Sequence, residues 1–287
     1  MRIFLILSIL VSTINSSAQF QIGLFVGVSD YHGDILDIPY KFSNAAFGVT
    51  AGYKISDRFH IRAGGLIGKI EGADSVSPRE GFADRNLSFQ SSLKEFSVRA
   101  EYNLFNIEET RWTPYAFAGF AVFHFDPYTY DVNNEKHYLK PLSTGGQGLE
   151  QYSIKPYSLT QFSLPGGGGI KYAISERIHI AAEIGLRLTF TDYLDDVGGV
   201  YPDEFDLLSA RGAKAVELSY RRDEIPGGNP NFPRKGASRG RSGSIIYNDF
   251  YYVTGLHFIY NLGGGGGSTF AGRTGKRKDF GCPVIRP

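Results

Sequence analysis

Residues Phe162–Tyr193 read FSLPGGGGIKYAISERIHIAAEIGLRLTFTDY, and they alternate in character on both sides of a short turn. The turn is Ser175–Arg177. In both arms, every second residue is predominantly apolar, and the positions between them carry serine, glycine or charged side chains such as Lys171, Glu183 and Arg187. A period of two residues predicts β-strands, and two such strands around a tight turn predict a β-hairpin.

The same alternation recurs along the chain and predicts eight strands. They are Phe20–Ser29, Asn44–Ile55, Phe59–Ile70, Leu93–Leu104, Tyr115–Phe125, the two arms of the hairpin, and Asp249–Leu262. The connections alternate long and short, which is typical of bacterial outer-membrane barrels. We therefore predict an all-β fold, an eight-stranded antiparallel transmembrane β-barrel with long extracellular loops and short periplasmic turns. Both termini are then periplasmic, the protein is integral to the outer membrane, and outer-membrane lipid is a partner.

The two ends of the chain differ in composition from the predicted barrel. Residues 1–18 have a basic start, a short apolar stretch and small residues before Ala18, which predicts a signal peptide. Residues 19–262 form the predicted barrel, and residues 263–287 form a glycine-rich basic tail on the periplasmic side. Cys282 is the only cysteine, so no disulfide can form within the chain.

A soluble β-sandwich or a lipocalin-like barrel shows the same alternation, because parity alone does not say which face is inside. Aromatic residues at strand ends favour membrane girdles. The residues assigned to such girdles are Phe20, Tyr53, Phe59, Tyr102, Tyr115, Phe190 and Tyr260. In the strand Tyr115–Phe125 both faces are fairly apolar, and its facing stays open at this point.

Two hairpins share a sequence pattern. Tyr53–Ile61 reads YKISDRFHI and Tyr172–Ile180 reads YAISERIHI. This match predicts that both turns lie on the same side of the membrane. A shared turn preference and common ancestry explain the match equally well.

Several motifs at strand ends resemble those of PorG-like outer-membrane barrels of type IX protein secretion systems. These motifs are Asp30–Ile35 (DYHGDI), Arg85–Phe89 (RNLSF), Thr113–Gly119 (TPYAFAG) followed by Val122–Pro127 (VFHFDP), and Thr189–Val197 (TFTDYLDDV) with Tyr201–Asp203 (YPD) after it. The resemblance implies a non-enzymatic subunit of the secretion machinery that links the outer membrane to a periplasmic ring, with the ring lipoprotein and its partner as binding partners. A small outer-membrane channel, or a surface-adhesion barrel unrelated to secretion, is the alternative.

Charged residues on the inward parity predict a network in the lumen. Its candidate members are Arg62, Glu95, Arg99, Glu101, Glu183 and Arg187. The interior of an eight-stranded barrel is just wide enough for side chains, and buried charges must be paired. We expect a salt-bridge network that plugs the barrel, with a path for small ions or solutes as the alternative.

Two further groups are candidate sites outside the strands. Asp192, Tyr193, Asp195 and Asp196 form a candidate structural loop motif where the last arm of the hairpin ends. Carboxylates at such spacing can also hold Ca²⁺, but aspartates more often bond their own loop backbone. In the tail, the candidate partner-binding residues are Arg273, Lys276, Arg277 and Lys278.

The sequence favours no enzymatic activity and no cofactor. Ser and His occur, but no spacing singles out a catalytic triad or a metal motif. A formal net charge of +1 also argues against nucleic-acid binding.

Overall fold

The computed structural model describes residues 20–36, 38–78, 82–227 and 248–262. These residues include eight long strands and one short strand. The predicted signal peptide and basic tail lie outside the described residues. In chain order the strands are β1 (Phe20–His32), β2 (Asn44–Lys54), β3 (Phe59–Ala73), β4 (Ser88–Asn103), β5 (Trp112–Tyr130), β6 (Lys136–Tyr138), β7 (Thr160–Ala173), β8 (Ile178–Thr189) and β9 (Phe250–Asn261).

The eight long strands close into a barrel. Each pairs antiparallel with its neighbours, and the sheet is closed because β1 pairs with β9 while β4 pairs with β5. Closure leaves none of these strands with an unpaired edge, which is the condition for a sheet in a lipid bilayer. The predicted eight-stranded antiparallel barrel is confirmed.

The apolar face of the barrel points outward. Phe120 is 75% exposed and Val49 62%, whereas inward Lys171 is 1% exposed and Arg187 2%. Each barrel strand has at least one exposed large apolar residue; one example from each is Leu24, Val49, Ile67, Phe96, Phe120, Phe162, Ile184 and Leu256. Monomeric soluble proteins rarely expose so continuous an apolar surface, so a lipid-facing barrel explains this arrangement and a lipocalin-like one does not.

The residues of β5 that share the parity of Tyr115 and Phe117 face the lumen. Tyr115 is 3% exposed and Phe117 6%, whereas Phe120 on the opposite parity is exposed. The assignment of Tyr115 to a membrane girdle was therefore wrong. Its hydroxyl donates a hydrogen bond to Glu183 inside the barrel, and that bond holds the ring inward.

The two ends of the barrel differ in the length of their connections. The turn end carries the chain's first described residue, Phe20, and the short connections 55–58, 104–111 and 174–177, with the helix α2 (Ile107–Thr110) in the second of these. The loop end carries the long connections, whose described residues we call the loop crown (33–36, 38–43, 74–78, 82–87, 131–159, 190–227 and 248–249).

The loop crown contains short helices that the sequence reading did not predict. They are α1 (Phe82–Arg85), α3 (Glu204–Arg211) and α4 (Ala213–Ser219). Strand β5 also continues past Phe125 and pairs with β6 in a hairpin above the barrel. Among the described residues, no helix is long and apolar enough to cross a membrane.

The turns with matching sequence both lie at the turn end and are built alike. The backbone N–H of Asn103 donates to the carbonyl of Arg58, and that of Asn261 donates to Arg177, at 2.7 and 2.8 Å. Each asparagine side chain also lies beside the neighbouring histidine, with Asn103 Nδ2 3.3 Å from His60 Nε2 and an equivalent contact of 3.2 Å in the second hairpin.

The glycine run of β7 makes room for aromatic side chains. A Cβ atom on Gly169 would lie 2.9 Å from the ring of Tyr115, and one on Gly167 would lie 2.9 Å from the ring of Phe117. The aromatic rings of β5 thus pack where the neighbouring strand has no side chains.

Candidate functional site: the barrel lumen and its loop crown

The six lumen residues named from the sequence come together in ion pairs. Glu183 is the centre of the network: Arg99 lies 2.7 Å and Arg62 3.3 Å from its carboxylate. Arg62 also pairs with Glu101. Farther toward the loop end, Arg187 Nε lies 3.2 Å from Glu95.

Further side chains complete the network. Lys171 pairs with Glu101, and His257 Nε2 lies 3.2 Å from Glu183. The hydroxyl of Tyr251 donates to Glu95 at 2.8 Å, as that of Tyr115 does to Glu183. Inward parity marks Lys171, Tyr251 and His257 in the sequence, but nothing there distinguishes Tyr115 from a lipid-facing tyrosine.

The lumen is filled at this level. Its buried cations are Arg62, Arg99, Lys171 and Arg187, and its buried carboxylates are Glu95, Glu101 and Glu183. A cavity of about 20 Å³ lies beside Arg99 and His257, which is room for about one water molecule. The arrangement is a charged plug of paired side chains.

Toward the loop end the filling becomes apolar. Phe123, Phe125, Phe89 and Leu194 are at most 1% exposed and belong to one cluster with Tyr31 and Tyr251. Ring stacking continues outward, because Phe125 stacks on Tyr157 at 6.1 Å and Tyr157 stacks on Tyr193 at 4.8 Å. This second plug closes the loop end of the lumen.

The predicted loop motif is part of this plug. The hydroxyl of Tyr31 donates to Asp195 at 2.6 Å and lies 3.1 Å from Asp249. Asp195 also accepts from the backbone N–H of Val197, and Asp249 accepts from that of Leu194.

The neighbouring aspartate points to a different part of the crown. Asp196 accepts hydrogen bonds from Tyr157, at 2.7 Å, and from Thr144. The motif therefore ties three crown segments to one another through hydrogen bonds.

Several of these carboxyl groups are buried without a cation beside them. Desolvation of the half-buried Asp192 and, second, the charge of Asp34 together raise its pKa to about 7. Burial likewise raises the pKa values of Asp195 and Asp249 well above the ordinary range, with their neighbouring carboxylates adding to the effect. Burial without a neighbouring cation therefore favours the neutral form of these carboxyl groups.

An ion pair that the sequence reading missed fixes the β3–β4 connection. Arg85 donates to both oxygens of Asp74, at 2.7 and 2.6 Å, and both side chains are buried. Arg85 also donates to the carbonyl of Asp34, which connects this loop to the one after β1. Arg85 and Asp34 lie on loops that are far apart in the sequence, so no local pattern predicts this contact.

One group of side chains in the described ranges has the spacing of a metal site. Asp131, Glu135 and His137 place one ligand atom each within 4.8 Å of one another. Lys214 already supplies a positive charge there, because its Nζ lies 2.8 Å from Asp131. With that ion pair the carboxylate of Asp131 has a cationic partner from the chain itself.

The profile of one protein family matches residues 1–219, and its description is "Domain of unknown function (DUF6089)". The chain belongs to the DUF6089 family. No curated protein matches this DUF6089 chain significantly.

Solved structures that resemble the chain are outer-membrane barrels. Neisserial surface protein A is 9% identical, with a TM-score of 0.41, over 84% of this chain and 96% of that one. Ail of Yersinia pestis, in complex with a heparin analogue, is 8% identical, with a TM-score of 0.38, over 85% and 99%. Outer membrane protein W of E. coli is 12% identical, with a TM-score of 0.36, over 86% and 100%. The barrel assignment itself rests on the strand pairing.

Proposed function

We propose that the chain is a non-enzymatic outer-membrane β-barrel of the type IX protein secretion machinery, which links the outer membrane to the periplasmic ring. The carrying observation is that motifs underlying the resemblance contact one another. Tyr31 of the first motif bonds Asp195 of the last, and Arg85 of the second bonds the carbonyl of Asp34. These contacts lie at the loop end of the barrel, and they support a shared family architecture.

The plugged lumen supports an anchoring role. A conduit needs a continuous aqueous path, and here ion pairs and aromatic rings fill successive levels of the barrel. A small channel is accordingly the weaker alternative. A surface-adhesion barrel is the second candidate, and the extensively hydrogen-bonded crown favours it.

Deletion of the gene tests the secretion role directly. We expect type IX cargo to remain in the cell, and secretion to return when the full chain is supplied on a plasmid. Unchanged cargo secretion in the deletion strain would overturn the proposal, whereas loss of adhesion with normal secretion would favour the second candidate.

Co-purification in mild detergent tests the proposed link to the ring. A chain whose four tail cations Arg273, Lys276, Arg277 and Lys278 are changed to glutamine is compared with one in which lysine and arginine are exchanged. We expect the neutral variant to lose the ring lipoprotein and the charge-conserving variant to keep it. Equal recovery with both variants would remove the tail from the interface.

The membrane position has its own test. Phe120 lies near the middle of β5 on the exposed face, opposite Val98 of β4. Phe120→Arg is expected to destabilise the barrel in lipid by about 2–4 kcal/mol, while Phe120→Leu has a much smaller effect. A Phe120→Arg variant that is as stable in lipid vesicles as the Phe120→Leu variant would contradict the lipid-facing assignment.

A further inference from the structure

The lipid-facing surface changes from apolar to polar toward the loop end of three neighbouring strands. Ile67 of β3, Phe96 of β4 and Val122 of β5 are exposed apolar residues on the outward parity. Beyond them, the outward residues of the same strands are polar or aromatic, and each is at least partly exposed. We call these residues the rim patch, and they are Lys69, Glu71, Gln90, Ser92, Lys94, His124, Asp126 and Tyr128.

The strand register arranges the rim patch as a grid on one face of the sheet. The directly paired members are Glu71 with Gln90 and Tyr128, Lys69 with Ser92 and Asp126, and Lys94 with His124. Directly paired residues have Cβ atoms about 4.5–5.5 Å apart. One headgroup of moderate size can therefore contact several of these side chains at once.

The rim patch begins where the apolar band of the barrel ends. Lys94 is eight residues from Tyr102, which is exposed at the turn end of β4. Eight residues span about 26 Å along a strand, or about 20 Å along the axis of a barrel with the usual tilt. The apolar band of such barrels is about 25 Å tall, and their long connections are extracellular. This geometry predicts that the patch lies among the headgroups of the outer leaflet.

The polar rim is confined to one side of the barrel. On β8 the outward residues stay apolar to the end of the strand and beyond it, with Leu188 49% and Phe190 61% exposed. The rim patch presents charges and hydrogen-bonding groups to the same layer. Charged groups are costly to place against acyl chains, so the patch suits a polar headgroup.

Lys94 supplies the positive charge of the patch. Its ammonium group forms no hydrogen bond or ion pair with the residues that the structure describes, whereas Lys69 pairs with Glu71 at 2.8 Å. Beyond the patch, Lys136 Nζ lies 3.6 Å from the ring centroid of Tyr128 and continues the positive charge. Basic side chains at a membrane surface attract anionic headgroups.

Acceptor oxygens and aromatic rings in the same patch suit a sugar. Asp126 and Gln90 offer acceptor oxygens, and a groove of about 210 Å³ has Gln90, Phe42 and Tyr130 in its lining. Diacyl phospholipids carry few hydroxyl groups, whereas a sugar headgroup has many to donate to these oxygens. The C–H groups of a sugar ring also pack on an aromatic face such as that of Tyr128.

We propose that the rim patch binds an outer-leaflet glycolipid whose sugar headgroup carries a phosphate. The phosphate pairs with Lys94, sugar hydroxyls donate to Asp126 and Gln90, and a sugar ring packs on Tyr128. The acyl chains continue along the apolar face past Phe96. The site is continuous with the lipid-facing surface and does not depend on the secretion role.

Binding of lipids to the purified full chain in detergent tests the proposal, with native mass spectrometry as the measurement. Lipid A, an acylated glucosamine disaccharide with phosphate groups, is compared with its dephosphorylated form and with phosphatidylglycerol. The second lipid lacks the phosphate and the third lacks the sugar. We expect lipid A to bind at least about fivefold more tightly than either, which is the effect of one basic side chain on an anionic lipid.

Substitutions at the rim test the site itself. Lys94→Gln is expected to weaken binding of lipid A about fivefold and to leave the dephosphorylated form unaffected, whereas Lys94→Arg keeps the charge and should bind as the unaltered chain does. Lys155→Gln, at an exposed lysine outside the patch, is the matched control and should change nothing. Tyr128→Leu should weaken both forms of lipid A alike. The gel shift on heating checks the barrel fold of each variant.

Three results would overturn the proposal. The first is binding of phosphatidylglycerol within twofold of lipid A. The second is equal binding of lipid A to the Lys94→Gln and Lys155→Gln variants. The third is undiminished binding of lipid A to a folded Tyr128→Leu variant.

Discussion

The turn-end and loop-end halves of the lumen bury polar groups in opposite ways. In the turn-end half every carboxylate has a cation beside it, as Glu183 has Arg99 at 2.7 Å. In the loop-end half Asp195 and Asp249 share a tyrosine hydroxyl and backbone donors instead. Both halves are filled, but the carboxyl groups of the second are held by neutral donors, and burial raises their pKa values.

The two halves differ because the charged residues of one lie on strands and those of the other lie on loops. Turn-end charges lie on strands whose register fixes each partner, so opposite signs can be matched by neighbouring side chains. Asp195 and Asp249 arrive on separate connections and meet mainly aromatic and apolar neighbours. Burial there favours the neutral acid, because ionisation in an apolar environment is costly. We therefore expect pH to affect the crown and not the turn-end network.

The largest expected effect comes from breaking the turn-end network at its centre. Glu183→Gln leaves Arg99 with an uncompensated buried charge, while Arg62 keeps Glu101, and should lower the free energy of unfolding by about 3–5 kcal/mol. Denaturant unfolding in lipid vesicles measures it, with Trp112, the only tryptophan, as the fluorescent reporter. Glu150→Gln, at the surface, should stay within about 0.5 kcal/mol. Equal effects of the two variants would contradict the pairing.

A smaller effect is expected from removing the shared hydroxyl in the loop-end half. Tyr31→Phe leaves Asp195 and Asp249 without that donor and should destabilise the crown by about 1–3 kcal/mol. Tyr251→Phe is the matched change in the ion-paired half and should have a lesser effect, because Glu95 keeps Arg187 at 3.2 Å. Denaturant unfolding of both variants compares them, and a larger effect at Tyr251 would reverse the comparison.

The pH dependence of the crown is the next prediction. The pKa of Asp192 rises from 3.8 to about 7 in the folded chain. A carboxyl group with a raised folded pKa favours the fold while it is protonated, so this preference is lost as pH rises from about 4 to 7. Amide hydrogen exchange in residues 190–197, corrected for intrinsic rates, should therefore be faster at pH 8 than at pH 5.5.

A single substitution sharpens that experiment. Asp192→Asn cannot ionise, so the pH dependence should become shallower in the crown. The turn-end strands provide the internal reference in the same sample. Crown protection that increases with pH in the unaltered chain would contradict the assignment.

The smallest effect is expected for an ion pair at the surface of the turn end. Lys54 lies 2.6 Å from Glu108, but the Glu108 side chain is 57% exposed. Lys54→Met should change the free energy of unfolding by less than about 1 kcal/mol, because solvent screens exposed pairs. Lys171→Met removes a buried cation that pairs with Glu101 and should cost more. Similar values for the two would mean that burial does not control these pairs.

The sequence was most informative where structure is local. Alternation along the strands and the short turns of YKISDRFHI and YAISERIHI predicted the hairpins, and their bounds agree closely with β2, β3, β7 and β8. Inward parity also selected the charged residues that meet in the lumen. Parity did not place Tyr115, because both faces of β5 are apolar. Its burial and its hydrogen bond to Glu183 in the structure show which face is inside.

The contacts of the crown could not be predicted from the sequence, because they join segments that are far apart in the chain. Tyr31 and Asp249 are separated by 218 positions, and the helices α3 and α4 are too short to show a reliable period. The acidic motif was visible in the sequence, but its partners were not.

By itself the sequence determined the period-two strands, the short turns between them and the set of charges on the inward parity, because each depends on residues close together in the chain. Only the tertiary structure decided that the apolar face looks outward, that the barrel is plugged by two chemically different layers, and that polar residues of β3, β4 and β5 meet in one patch at the rim. Those outcomes depend on closure of the sheet and on contacts between separate loops, and neither is contained in any single stretch of the chain.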